Sequence, residues 1–136
     1  MRVLFDTNIF LDLLMDRAPF AEAAVELFSR VEGGTISGYV CSTSITTIYY
    51  IASKTIGTVR AQEEVKKLLN LFEVAPVNRA VLEAALAANF VDFEDAVIYE
   101  AACHVGAEAI VTRNQKYFRK SKISVYSSAE LVNIMR

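Results

Sequence analysis

Cysteine and histidine, the side chains that most often build disulfide frameworks and transition-metal centres, are scarce: the 136 residues hold two cysteines and one histidine. Cys41 and Cys103 have neither the close spacing of a metal knuckle nor the density of a disulfide scaffold, so both are expected to be reduced, buried thiols. His104 sits near a helix end without a partner in sequence and is expected to be structural rather than a general base. Long uncharged runs are missing too, although 54% of the residues are hydrophobic. Ile9 to Met15 and Ala107 to Val111 are broken by charge well short of bilayer-spanning length, which excludes a transmembrane helix and argues for no membrane partner. Asp6 and Asp12 interrupt what a signal peptide would keep apolar, and a cytoplasmic protein is expected. Nor is there an excess of positive charge. With a formal net charge of −2, the body is not that of a duplex-coating protein, and any contact with nucleic acid must be local. Repeats, low-complexity tracts and linkers are absent. What remains is enough apolar content for one core and too little chain for two, hence a single domain over residues 1–136.

The apolar pattern alternates between two periods. Arg2-Val-Leu-Phe5 reads as a strand that stops at Asp6-Thr-Asn8, and Ile9 to Met15 reads as a helix. Phe20, Ala24, Leu27, Phe28 and Val31 recur at helical spacing up to Gly33-Gly34. Ile36 to Val40 is a strand, after which Ser42 or Thr43 is placed to cap a helix through Ile45, Ile48, Tyr49 and Ala52 toward Gly57. A helix from Ala61 presents Val65, Leu68, Leu69 and Phe72, Glu73 to Ala75 is a brief strand, and Asn78 caps an alanine-rich helix to about Ala88. Asp92-Phe-Glu-Asp95 opens a helix that Gly106 closes, Ala109 to Val111 and Ser124 to Tyr126 are strands, and Ser127-Ser128 caps the last helix. Strands alternating with helices predict an α/β fold: a three-layer α/β/α sandwich around a parallel sheet of about five strands.

In an open parallel sheet, ligands bind outside the carboxyl ends of the strands. Asp6 follows the first strand, Asp92 and Asp95 begin a helix near the fourth, and Thr112-Arg113-Asn114 follows the fourth directly. These groups converge on one cleft if strands one and four are neighbours. Asp6 alone reads equally well as a helix cap, and Asp92 with Asp95 fits an N-cap and third-residue pair. One capping side chain suffices, however, and three carboxylates in a single turn repel one another unless a cation is present. A hard cation such as Mg²⁺ or Mn²⁺ takes oxygen ligands and keeps several waters, and Asp6, Asp92, Asp95 and Asn114 offer such a set. Chemistry of this kind activates water toward a phosphodiester without a covalent nucleophile.

From Arg113 to Lys122 there are five basic residues and no acidic one, with Tyr117 and Phe118 among them. A solvated loop explains such a run. A phosphate-gripping edge, with Arg113, Lys116, Arg119 and Lys120 on RNA and an aromatic ring for base stacking, explains it and its position beside the acids.

Val3-Leu-Phe-Asp-Thr-Asn8, Asp92-Phe-Glu-Asp-Ala96 and Val111-Thr-Arg-Asn114, in this order, resemble the PIN-domain family over essentially the whole chain. The resemblance implies an α/β/α sandwich and a Mg²⁺- or Mn²⁺-dependent ribonuclease. It also implies kinship with VapC-like toxins, which are commonly homodimeric and restrained by an antitoxin. Asp6 matches the first family acid, Asp95 the acid opening the later helix, and Asn114 a position often held by Asp. Asp92 resembles an extra acid of a subgroup with Asp-Phe-Glu-Asp. Two positions depart from the family pattern: Tyr49 falls where a Glu is usual, and Tyr117 where an Asp is frequent. Asp92, Glu94 or Asp12 are the candidates to supply the lost charge. The departure at Tyr49 supports a second reading, a PIN-like domain that binds RNA or a protein without catalysis. A phosphohydrolase working through an aspartyl-phosphate on Asp6 would need a second acid two residues later, where Asn8 stands.

Overall fold

Period-two alternation gives each strand two faces to bury, and the computed structural model, which describes residues 1–136, shows how they are covered. Five strands, β1 (Arg2–Phe5), β2 (Ser37–Cys41), β3 (Glu73–Ala75), β4 (Ala109–Val111) and β5 (Ser124–Tyr126), form one sheet in the order β3-β2-β1-β4-β5. All four pairings are parallel. Six helices connect them and a seventh follows β5: α1 (Thr7–Leu14), α2 (Ala21–Glu32), α3 (Ser42–Ile56), α4 (Thr58–Leu71), α5 (Arg79–Ala87), α6 (Phe93–His104) and, last, α7 (Ser128–Met135). The three-layer α/β/α architecture read from the sequence is the one observed.

Val3 and Phe5 of β1 point into one hydrophobic cluster, with Ile9, Phe10, Leu27, Phe28, Ile48, Leu68 and Leu131 from the helices on that side. Leu4, between them, points into the other, with Val81 and Ala85 of α5 and Ala96, Val97 and Ala101 of α6. The first cluster is built around four phenylalanines, Phe5, Phe10, Phe28 and Phe72, each ring within 5.0–5.9 Å of the other three. Edge-on geometry dominates among them, the arrangement the ring quadrupoles favour. Gly38 of β2 makes room for this cluster, because a Cβ there would lie 2.6 Å from the Phe72 ring.

Several local readings are corrected. Neither Ser42 nor Thr43 caps α3: the helix begins directly at the strand end, Cys41 occupies the cap, and both hydroxyl residues lie inside the first turn. Along α4 only Ala61 and Leu68 are buried, whereas Leu69 is 47% exposed. Phe20 lies outside α2 at its cap and is 38% exposed. The remaining caps are as the sequence predicts, including Asn78 for α5, Asp92 for α6, and a Ser127–Glu130 capping box for α7. No helix is long and apolar enough to cross a membrane.

Candidate functional site

Sheet register sets the site. β1 and β4 are neighbours, with Phe5 opposite Val111, and the ladder continues one residue further as the Asp6 N–H donates to the Val111 carbonyl at 3.0 Å. Asp6 therefore lies beside Thr112. The Thr112 hydroxyl donates to Asp6 Oδ2 at 2.7 Å and accepts from the Asn114 N–H at 3.0 Å, so one buried hydroxyl fixes two of the predicted site residues. Asp6 Oδ1 accepts from the Thr7 N–H at 2.8 Å, which makes it the N-cap of α1 as well. The Thr7 hydroxyl donates to Ser44 on α3 at 2.8 Å and ties that helix to the same edge.

α6 starts across this edge. Asp92 Oδ1 accepts from the Asp95 N–H at 3.0 Å, the capping role that its spacing allows. Glu94 and Asp95 occupy the first turn, where the helix dipole favours negative charge. Asp6, Asp92, Glu94 and Asp95 line one open cleft of ≈ 260 Å³, together with Asn8 and Asn114. The sequence expectation that acids from separate segments meet at the carboxyl end of the sheet agrees with this geometry.

Concentrated like charge shows in the protonation energetics. Burial, then Asp6, Asp92 and Glu94, push the Asp95 carboxyl up to about 7. Asp6 is also raised above the usual carboxylate range, chiefly by burial and secondarily by Glu94 and Asp92, against the opposing hydrogen bonds from Thr112 and Thr7. The cleft's donors are carboxylate and amide oxygens, the set a hard divalent cation takes. No three acidic side chains stand close enough to share an ion outright. Such a cleft suits an ion held by one or two carboxylates, with water and phosphate oxygens completing the shell, as Mg²⁺ commonly is. Each Asp6 oxygen accepts one hydrogen bond, from Thr7 and Thr112.

Other candidates are placed differently. Asp12 is fully buried on α1 and does not line the cleft; its Oδ1 lies 2.9 Å from Arg113 and 3.8 Å from Arg17. Arg113 is held by this pair and stacks on Phe20, its guanidinium 3.8 Å from the ring centroid. Lys116, Arg119 and Lys120 instead line a separate cavity next to the cleft. Tyr49, which stands about where a family Glu is expected, does not line the cleft. α3 presents Thr47 and Ile51 to it, and a residue two positions from Thr47 is turned about 200° away on a helix. Thr7, Asn8, Thr47 and Thr112 are the polar residues that the sequence reading left without a role. The Thr7–Asn8 and Thr112 hydroxyls and amide lie inside the quoted motifs, whereas Thr47 required the helix phase.

The PIN domain family model matches residues 2–116, and the chain belongs to this family. The chain is similar to proteins of VapC type. Ribonuclease VapC1 of Aquifex aeolicus (strain VF5) is 28% identical over 134 residues, covering 95% of this chain and 92% of that protein. Among solved structures, a toxin–antitoxin complex from Klebsiella pneumoniae contains a chain that superposes with TM-score 0.71 at 22% identity, over 93% of this chain and 97% of that one. A chain of the DNA-bound VapBC from Salmonella typhimurium gives TM-score 0.71 at 16% identity, over 94% and 98%.

Proposed function

We propose that this protein is a divalent-metal-dependent endoribonuclease, the toxin of a toxin–antitoxin pair, acting in the cytoplasm. The observation that carries the reading is the convergence of Asp6, Asp92, Glu94 and Asp95, from two distant segments, in one oxygen-lined cleft. In this reading Asp6 and Asp95 would hold the ion, Asp92 caps α6 and adds its negative charge to the cleft through water rather than as a third direct ligand, and Asn114 would supply an amide. Bound Mg²⁺ or Mn²⁺ provides an activated water and neutralises charge at the phosphoryl oxygens. Thr112 keeps Asp6 and Asn114 in register. The relative named a ribonuclease supports the substrate class, and the toxin–antitoxin complexes among the structural neighbours support an antitoxin partner. Exposed apolar side chains such as Val59 and Leu86 are available to an antitoxin or a second copy in a homodimer. Purified protein is expected to cleave RNA with Mn²⁺ or Mg²⁺ and to lose that activity with chelator, Asp6→Asn or Asp95→Asn. Cleavage indifferent to all three overturns the reading.

One observation favours a non-catalytic PIN-like binding domain: α3 brings Thr47 and Ile51 to the cleft and no acid. Calorimetry with Mn²⁺ separates the two, because the binding-domain reading predicts RNA affinity without metal uptake.

A further inference from the structure

Of the four basic residues predicted to meet RNA, one is held in an ion pair and three are not. Arg113 is paired with buried Asp12 and stacked on Phe20. Lys116, Arg119 and Lys120 take part in none of the molecule's ion pairs, and Lys116 lies 5.1 Å from the centroid of the Tyr117 ring, whose other face is left for a base. All three line a cavity of ≈ 330 Å³ with Asn89, Phe90, Val91 and Tyr117, and no acidic residue lines it. In a chain of net charge −2, three unpaired cations around one hollow are a local inversion of sign, and they carry the attraction for a polyanion.

The same hollow has a rigid aromatic wall. Phe90 stacks on Tyr99 with centroids 5.0 Å apart and meets buried Phe118 edge-on at 6.0 Å, so its ring is fixed by the core. Tyr117, 37% exposed, lines both this cavity and the acidic cleft and so forms the partition between them. The volume falls at the low end of small-ligand pockets, about 300–1,000 Å³, which suits one nucleotide. A base paired in an A-form duplex keeps its faces stacked and cannot reach such a wall, whereas an unpaired base can.

We propose that this cavity, between the α5–α6 loop and the turn Gln115–Phe118, seats one unpaired nucleotide adjoining the phosphodiester held in the acidic cleft. Its base packs against Phe90 and Tyr117, and its phosphates are gripped by Lys116, Arg119 and Lys120. The strand crosses the Tyr117 partition from this anchor into the cleft. The proposal rests on the ribonuclease reading for the identity of the polyanion as RNA. It explains how a cleft crowded with carboxylates holds an anionic substrate: the attraction is supplied next door.

The test is fluorescence anisotropy with a short fluorescein-labelled oligouridylate. Asp95→Asn serves as background, so that bound RNA is not consumed, with circular dichroism on each variant. Triple replacement of Lys116, Arg119 and Lys120 by Ala is expected to flatten the log Kd–log salt slope by up to about 2, at about 0.7 per phosphate contact on a single strand. Tyr117→Ala is expected to weaken binding about 5-fold or more, while Tyr117→Phe, which keeps the ring face, retains the affinity. Unlabelled RNA duplex of equal length is expected to compete less well than the single strand. Unchanged affinity and salt slope in the folded triple variant overturn the proposal, as does displacement of the oligouridylate by polyglutamate as readily as by unlabelled oligouridylate, which marks the cavity as a seat for an acidic protein segment. Failure of the nuclease reading is read separately, from wild-type cleavage with Mn²⁺. Wild-type cleavage alongside a triple variant that binds RNA normally removes the pocket and leaves the enzyme. Loss of binding in the triple variant without any wild-type cleavage keeps the pocket as an RNA seat and removes the enzyme.

Discussion

Asp95→Asn should make the metal-free protein more stable while destroying its activity. In the folded chain the Asp95 carboxyl titrates at about 7 rather than 3.8, raised first by burial and then by Asp6, Asp92 and Glu94. The folded state thus holds its proton over a range where the unfolded chain has released it. Stability from this group is full below about pH 4 and falls as pH rises toward 7, because the slope follows the excess of protons bound by the folded form. A shift of that size corresponds to an upper bound of roughly 4 kcal/mol at 1.36 kcal/mol per unit. The side chain is partly exposed to the cleft, and solvent screening reduces the figure to about 1–2 kcal/mol. Removing the charge also forfeits about 0.5 kcal/mol of favourable interaction with the N-terminus of α6, so a net gain of about 1 kcal/mol is expected at pH 8. Urea denaturation in chelator at pH 5 and pH 8 measures it. The substituted protein should gain at pH 8, gain little at pH 5, and show a flatter pH profile than the parent. Equal or lower stability at pH 8, with the profile unchanged, refutes the claim that burial and neighbouring acids leave an unrelieved charge at this turn.

Three further perturbations follow from the same geometry. Thr112→Val keeps the shape of a buried side chain but removes the donor to Asp6 Oδ2 and the acceptor for the Asn114 N–H; the expected loss of cleavage is about 10–100-fold, and a wild-type rate contradicts the positioning role. Arg113→Ala leaves buried Asp12 facing only Arg17 at 3.8 Å and should lower stability by about 2–3 kcal/mol, somewhat less than the roughly 3–5 kcal/mol of a wholly unpaired buried charge, as read by thermal unfolding. Gly38→Ala drives a Cβ to 2.6 Å from Phe72, whose ring is hemmed in by Phe5, Phe10 and Phe28; overpacking of this kind costs about 1–3 kcal/mol, and an unchanged melting temperature contradicts the packing account.

Much of this arrangement is written in local sequence signals. The strand endings at Phe5 and Val111, the turn chemistry of Asp92-Phe-Glu-Asp95 and the alternation of periods place the acids at one sheet edge once β1 and β4 adjoin, as they do. What stays illegible depends on phase and on long-range partners. Whether Thr47 or Tyr49 faces the cleft is decided by the rotational setting of α3, which the hydroxyl pair Thr7–Ser44 helps to fix. The role of Asp12 is equally hidden, because its partner Arg113 lies 101 positions away. A motif reading assigns Arg113 to the substrate with Lys116, Arg119 and Lys120. Only the folded chain separates the cation neutralised by a carboxylate from the three that have no acidic partner. The cap of α3 is hidden for a simpler reason: two hydroxyl residues follow a cysteine at a strand end, and the helix starts one residue sooner than the better capping side chains suggest.

The central claim is that the cleft among Asp6, Asp92, Glu94 and Asp95 is a divalent-cation site. Anomalous diffraction from a crystal of the wild-type protein soaked in Mn²⁺ tests it most directly. The account predicts a peak within direct coordination distance of the Asp6 and Asp95 carboxylates that disappears in Asp95→Asn. Manganese bound elsewhere, or none in the cleft of a preparation that cleaves RNA, would contradict it.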